Sequence, residues 1–257
     1  MTNVLVAGAS GGVGKAIIHE LNQQQHHIRA LVRNQTKLGG AIVNDVFLAD
    51  ARDATRLKGA CDGIEIVISA LGGSLQLSRT ESKATYWDVD YQANKNLLEE
   101  AKRAGVRKFI YVSVYKADEV KGSSYFEAHG AFEEELKRSG LSYALVRPTG
   151  VYYIFEEFVN LARKGLVPLI GDGSARTNPI DERDVAHVCV AAINSPQTVY
   201  DIGGPDVFTR REINELCFKT LGKKPRFIKY PIGVMRLLIK PLKLFDQRLF
   251  ELMDFAI

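Results

Sequence analysis

Val4-Leu5-Val6-Ala7-Gly8-Ala9-Ser10-Gly11-Gly12-Val13-Gly14 decides the fold. It reads as a short buried strand, a glycine turn, and the first turn of a helix running through Lys15-Ala16-Ile17-Ile18 to Leu21. Each of the three spaced glycines has a physical task in such a turn. Gly8 makes the sharp reversal, Gly11 lets backbone approach a pyrophosphate, and Gly14 lets the helix pack closely on the strand. The helix start then offers unpaired N–H groups and the positive end of its dipole to phosphate. A P-loop ending at Gly14-Lys15 would need glycine at position 9 and Ser or Thr at position 16, and alanine stands at both. The spacing therefore predicts a dinucleotide site, with Gly8, Ser10, Gly11, Gly12, Val13 and Gly14 against the phosphates.

Working outward, Ile28–Val32 reads as a second strand, Val46–Ala49 as a third closed by Asp50, and Ile64–Ala70 as a fourth. Phe109–Val114, Tyr143–Arg147 and Val199–Ile202 complete about seven. Helical spacing separates them: a short helix over Arg52–Leu57, then Asp90–Arg103, Phe132–Arg138 and Asp184–Ile193. Alternating strands and helices predict a parallel, doubly wound α/β sheet of Rossmann type. Ligands of such a sheet sit beyond the strand C-termini, at Gly8 to Gly14, Arg33, Asp50, Ala70-Leu71-Gly72 and Ser113. The second strand ends in Arg33 where a carboxylate would select a ribose hydroxyl, and Lys37 follows, so NADP(H) is expected in preference to NAD(H). Polar Ser74–Thr85 reads as a mobile loop over the site. Residues 1–150 are read as the nucleotide-binding core and 151–257 as a small C-terminal substrate lobe interlaced with it.

Composition excludes several classes. The 257 residues are 46% hydrophobic and 25% charged with a net charge of +4, an ordinary globular balance that gives no case for nucleic acid. Cys61, Cys189 and Cys217 form no Cys-x-x-Cys pair, and the five histidines have no ligand spacing, so no metal is expected. No signal peptide precedes the first strand and no apolar run reaches bilayer length, which reads as a cytoplasmic protein.

The motifs together resemble the atypical or extended short-chain dehydrogenases/reductases, in the NAD(P)-binding branch that includes the NmrA-like regulators. They are Gly8-x-x-Gly11-x-x-Gly14, Asp50, Tyr86-Trp87-Asp88-Val89-Asp90-Tyr91-Gln92-Ala93-Asn94, Tyr111-Val112-Ser113, Arg147-Pro148-Thr149-Gly150 and Asp201-Ile202-Gly203-Gly204-Pro205. Within that branch the chain looks most like the divinyl chlorophyllide 8-vinyl reductase group, on Gly171-Asp172-Gly173, Asn178-Pro179-Ile180, Leu221-Gly222-Lys223-Lys224-Pro225 and Tyr230-Pro231-Ile232. The resemblance implies hydride transfer from a nicotinamide lying beside Pro148, Thr149, Gly150 and Val151. It also implies a site supported by Asn94 through a water relay, or else an Asn94 that caps backbone inside the fold.

The resemblance also implies a catalytic set, a Ser followed by Tyr-x-x-x-Lys on a helix. Ser113 fits the first position, and Tyr125-Phe126-Glu127-Ala128-His129 fits the second with His in place of Lys. The i, i+4 spacing puts Tyr125 and His129 on one helix face. His129 is expected to reach the ribose hydroxyls, though an imidazole lowers a phenol's proton affinity less than a fixed ammonium does. Tyr115-Lys116 is a second pair, read as a loop, and Glu133-Glu134-Glu135 reads as a solvated face. Three functions stay open: a reductase of a small, partly apolar substrate, a non-catalytic NADP(H)-binding regulator, and an accessory subunit that keeps its nucleotide. A homo-oligomer is compatible with any of them. Near the C-terminus, Lys223 to Arg248 interleaves cations with apolar residues, broken by Pro231 and Pro241. Its first reading is a set of helices closing the substrate pocket with their apolar face, and its second a peripheral contact with an anionic membrane.

Overall fold

The computed structural model describes residues 1–75 and 84–257. Most of the expected mobile loop Ser74–Thr85 therefore lies outside the described residues. The chain opens with β1 (Asn3–Ala7), α1 (Gly12–Gln23), β2 (His27–Val32), β3 (Asp45–Leu48) and β4 (Ile66–Ser69). After the undescribed stretch, a π-helical turn over Trp87–Ala93 leads into α2 (Asn94–Arg103), then β5 (Lys108–Val112), α3 (Ser124–Arg138) and β6 (Ser142–Pro148). The second half supplies α4 (Glu156–Arg163), β7 (Val167–Ile170), β8 (Arg176–Thr177), α5 (Glu182–Ala191), β9 (Val199–Ile202) and β10 (Phe208–Thr209). It closes with α6 (Arg210–Thr220), β11 (Phe227–Tyr230), α7 (Ile232–Ile239), α8 (Leu242–Phe245) and α9 (Gln247–Ala256). The short helix expected at Arg52–Leu57 is a 3-10 turn over Ala54–Leu57, whose start is capped by the Asp53 side chain accepting the Thr55 N–H.

Two compact units hold these elements. Met1–Gly73, Tyr86–Pro148 and Glu182–Ile202 make the first. Its described residues form a seven-stranded sheet in the order β3-β2-β1-β4-β5-β6-β9, every pair parallel. This is the doubly wound sheet that the alternating pattern predicts. Strands β1 and β4 are neighbours although three sequence segments separate them, so the winding reverses there and leaves a crevice beyond their C-terminal ends. The pleat sends Leu5, Ala7, Leu31, Val67, Phe109, Tyr111 and Leu145 to one face, where Leu97, Leu98 and Ala101 of α2 and Phe132 and Leu136 of α3 cover them. Helix α1 lies against α5 and buries Ile17, Ile18 and Leu21 at helical spacing. Lys108, at the start of β5, is buried and donates to the carbonyls of Ala192 (2.6 Å) and Ser195 (2.7 Å), which pins the exit from α5 to the sheet.

The second unit holds Thr149–Asp181 and Gly203–Ile257 with the described residues beside 76–83. Its centre is Ala162, Val167, Cys217 and Phe218, with Phe158, Leu161 and Phe227 around them. β7 pairs in parallel with β11, and β8 pairs antiparallel with β10. Pro231 and Pro241 each precede a helix, so the C-terminal segment is broken where the prolines stand. The expectation that this segment spends its apolar face on the protein is not met: of α7 only Ile239 is buried.

Candidate dinucleotide site and its buried polar chain

The turn after β1 uses its glycines for two different reasons. Gly8 has φ +75°, and a Cβ there would overlap the Ala70 carbonyl at the end of β4. A Cβ on Gly14 would overlap the Gly8 carbonyl. The protein's own backbone requires both. Gly11 is different: its φ of −78° suits any residue, and a Cβ would meet only the Gly8 carbonyl, at 3.3 Å. Space rather than conformation distinguishes this position, as a phosphate cradle requires. Helix α1 starts there with no side-chain cap and no acid in its first turn, which leaves its N–H groups to an anion. Ser10 and Val13 are half-buried and Gly12 is exposed along the same turn.

Beyond β2 and β3, Arg33, Leu48, Ala49, Asp50 and Arg56 line a pocket of about 600 Å³. Asp50 accepts from Arg52 Nη2 (2.5 Å), Arg52 Nε (3.0 Å) and the Arg52 N–H (3.1 Å). Those bonds hold its carboxyl below the usual range against the opposing pull of burial. The Asp50 carboxylate is thus engaged by the exposed Arg52, while the exposed Arg33 faces the pocket with Arg56. The sequence reading missed Arg56; the signal was a cation six residues past Asp50, on the turn that returns to the same mouth.

The turn after β4 is held from below by buried polar groups. Wholly buried Asp90 accepts the Gly73 N–H on both carboxylate oxygens, at 3.1 and 3.0 Å. Ser69 Oγ donates to Asn94 Oδ1 (2.5 Å), and Asn94 Nδ2 donates to the carbonyls of Asp90 (2.9 Å), Val89 and Leu71 (3.3 Å each). Asn94 therefore spends its amide inside the fold, as the backbone-capping alternative requires, and supports Ala70-Leu71-Gly72-Gly73 from behind. Asp90 Oδ1 also takes His129 Nε2 at 3.1 Å. His129 Nδ1 lies 2.5 Å from the Tyr111 hydroxyl. Burial, followed by the charge of Asp90, pushes the Tyr111 phenol well above its ordinary value, so it keeps its proton, with His129 Nδ1 at 2.5 Å and the Asp90 carbonyl at 3.4 Å beside it. An Asp90 carboxylate accepts, so Nε2 carries a hydrogen.

This corrects the sequence expectation for His129: both ring nitrogens are committed to the protein, and neither is left for a ribose hydroxyl. The helical spacing does bring Tyr125 and His129 together, with rings edge-on at 4.8 Å. Half-buried Tyr125 also meets Tyr86 edge-on at 5.1 Å. Ser113 is not directed at Tyr125. Its hydroxyl donates to Glu133 Oε1 (2.6 Å), and Glu133 also accepts from Arg147 Nε (2.9 Å) and Arg147 Nη2. Glu133 is wholly buried, so the reading of residues 133–135 as one solvated face is wrong at its first member. Lys116 turns to Glu119 (3.0 Å), which agrees with a loop role.

Pro148 ends β6 and its carbonyl accepts the Tyr115 N–H at 2.9 Å. In the second unit, Thr149 Oγ1 donates to the Asn178 carbonyl (2.6 Å) and Gly150 O accepts the Ile180 N–H (2.8 Å). Val151 bridges to Ile180, so this segment is fixed by 178–180 rather than left as a loose loop. Among the described residues no His, Cys, Asp or Glu cluster could hold a metal, and no helix is long and apolar enough to cross a membrane.

A family described as NAD(P)H-binding matches residues 8–196. The chain belongs to it. The match starts at Gly8, directly after β1, and ends just before β9, so it takes in the glycine turn and β2 to β6. Among curated relatives, divinyl chlorophyllide a 8-vinyl-reductase of Arabidopsis thaliana is 28% identical over 92% of this chain and 62% of its own length. Subunit 9 of the NADH dehydrogenase [ubiquinone] 1 alpha subcomplex, also from Arabidopsis thaliana, is 25% identical with the same two shares. The chain thus spans somewhat less than two thirds of these relatives. Among solved structures, the NADPH-dependent quinone oxidoreductase QOR2 of Escherichia coli, complexed with NADPH, superposes with a TM-score of 0.75. It covers 97% of this chain and 86% of that one, at 23% identity, a likeness of fold. The family that the motifs resemble is the family found.

Proposed function

We propose that this family member is an NADPH-dependent oxidoreductase that reduces a small, partly apolar substrate, with Tyr125 handling the proton. The observation that carries this reading is the double duty of Asp90. One buried carboxylate clamps the turn after β4, where a cofactor would lie, and also fixes His129, against whose ring Tyr125 rests. The helix bearing Tyr125 and the turn beside the glycine motif are thereby tied into one rigid arrangement. When bound, the nicotinamide supplies the hydride. The protein's part is to seat phosphate on the uncapped start of α1, to hold the adenosine end between Arg33 and Arg56, and to present the Tyr125 hydroxyl. Arg33 and Arg56, beside an Asp50 already engaged by Arg52, support NADP(H) over NAD(H).

A specific observation favours a second reading, a non-catalytic NADP(H)-binding regulator. His129 stands where the usual lysine would, and both its ring nitrogens are engaged within the protein, by Asp90 and by Tyr111, rather than turned toward a cofactor. Tyr125→Phe separates the two. With NADPH and a panel of quinones and conjugated alkenes, the reductase reading expects a loss of kcat of about 100-fold or more while NADPH binding is kept. No turnover by the unaltered protein on any member, with tight NADPH binding, would favour the regulator. The compartment belongs to the same proposal. Cys61, Cys189 and Cys217 are free and buried, and burial pushes the thiols of Cys61 and Cys189 up to about 12, which suits a reducing compartment such as the cytoplasm.

A further inference from the structure

The C-terminal segment carries a surface that the nucleotide site does not use. Between Lys223 and Phe245 the chain has seven cations and no acid. In an ordinary helix, apolar residues at i, i+3 and i+4 are the ones that become buried. Here Val234, Leu237 and Leu238 have that spacing on α7 and remain exposed, at 49%, 66% and 63%. One short helix further on, Leu244 and Phe245 are exposed at 84% and 86%. Monomeric proteins scatter single exposed apolar residues, but five large ones on two consecutive short helices are a surface that something covers.

The charges identify the cover. Arg236, Lys240 and Lys243 stand on the same two helices and their junction, all exposed, and Lys229 is exposed on the preceding strand β11. None of the four forms an ion pair with a carboxylate among the described residues. A buried protein–protein core is depleted of such charges, whereas a helix lying in a lipid headgroup layer needs both halves: apolar side chains below the phosphates and lysines level with them. We propose that α7 and α8 form a docking surface for an anionic lipid bilayer, with Leu237, Leu238, Leu244 and Phe245 inserted and Arg236, Lys240 and Lys243 against the lipid phosphates. Pro231 and Pro241, each ahead of a helix, keep the segment as two short pieces that lie along an interface. Neither piece is long enough to span one.

The test is co-sedimentation of the full chain with vesicles of phosphatidylcholine alone and of phosphatidylcholine mixed with phosphatidylserine. The expected result is binding to the mixed vesicles only, weakening as salt rises. Lys240→Glu/Lys243→Glu should lower the partition coefficient by about 25-fold or more, since each cation near an anionic surface is worth about fivefold. Leu244→Ser/Phe245→Ser should lower it by about tenfold or more while leaving the salt dependence in place. NADPH titration of each variant serves as the folding control. Absence of binding to the mixed vesicles overturns the proposal, and so does equal binding to phosphatidylcholine alone. A wild-type dimer that Leu244→Ser/Phe245→Ser dissociates, with no vesicle binding, would assign the face to a second copy of the chain instead.

Discussion

The Glu133–Arg147 pair offers the sharpest test of how this site is built. Glu133 is wholly buried on α3, and its carboxylate is satisfied by Ser113 Oγ at 2.6 Å, Arg147 Nε at 2.9 Å and Arg147 Nη2. Arg147→Met removes the directly bonded cation and leaves the buried carboxylate with the Ser113 hydroxyl and the more distant Lys137 Nζ at 4.0 Å, a loss of about 3–5 kcal/mol. Glu133→Leu is milder, because Arg147 keeps Asp118 at 3.0 Å and that carboxylate is half-exposed. The double variant Glu133→Leu/Arg147→Met should return to within about 1–2 kcal/mol of the unaltered protein, since the apolar pair removes both desolvation costs and leaves unpaired only the Ser113 hydroxyl and the half-exposed Asp118 carboxylate, which water can reach. Urea unfolding read by fluorescence suits the measurement: the single tryptophan, Trp87, lies in the same unit as the pair. A cost below about 1 kcal/mol for Arg147→Met, or a double variant as unstable as that single one, would refute the argument. Ser113→Ala extends the test to function. If the hydroxyl serves Glu133 alone, the variant loses about 1 kcal/mol of stability and keeps its turnover; a fall of about 100-fold in kcat would return Ser113 to the chemistry.

Three further outcomes follow from the same geometry. Gly11→Ala should keep the fold, with a Cβ meeting only one carbonyl at 3.3 Å, yet weaken NADPH binding by about tenfold or more, whereas Gly8→Ala should cost about 1–3 kcal/mol in thermal or urea unfolding. Arg33→Ala should raise the Kd for NADPH by roughly 10-fold to 100-fold and leave that for NADH nearly unchanged, as read by cofactor fluorescence; equal losses would remove the 2′-phosphate assignment. Asp45 accepts from Arg29 Nε at 2.6 Å, and that bond holds its carboxyl below the ordinary value. A lowered folded-state value stabilises above the unfolded one and is lost as pH falls through it, so the Tm gap between the protein and Asp45→Asn should be full at neutral pH and close below about pH 4. A gap that does not change with pH would show that the pair contributes through packing instead.

Comparing particular residues shows why some of this was legible in the sequence and some was not. The sheet order follows from alternating strands and helices because right-handed crossovers leave few other solutions, and Gly8 and Gly14 stand where backbone meets backbone. Asp90 was quoted as part of a motif yet given no role, since nothing local says that a carboxylate will be wholly buried; its partners, Gly73 and His129, lie 17 residues before it and 39 after it. Glu133 is the more instructive case. Its two acidic neighbours suggest a solvated run, but its spacing places it with Ala128, His129, Phe132 and Leu136, the buried face of α3. Arg147 ends the apolar run Tyr143–Val146 inside a strand, and a cation there calls for a buried acid. Read together, the two misfits identify each other. The C-terminal helices fail in the opposite direction. Their apolar spacing is that of a core helix, yet only Ile239 of α7 is buried, because periodicity fixes which side chains share a face and is silent about what meets it. The cations on the same helices, none with a carboxylate partner among the described residues, supply what periodicity lacks, since a protein core would exclude them and a phosphate layer would hold them.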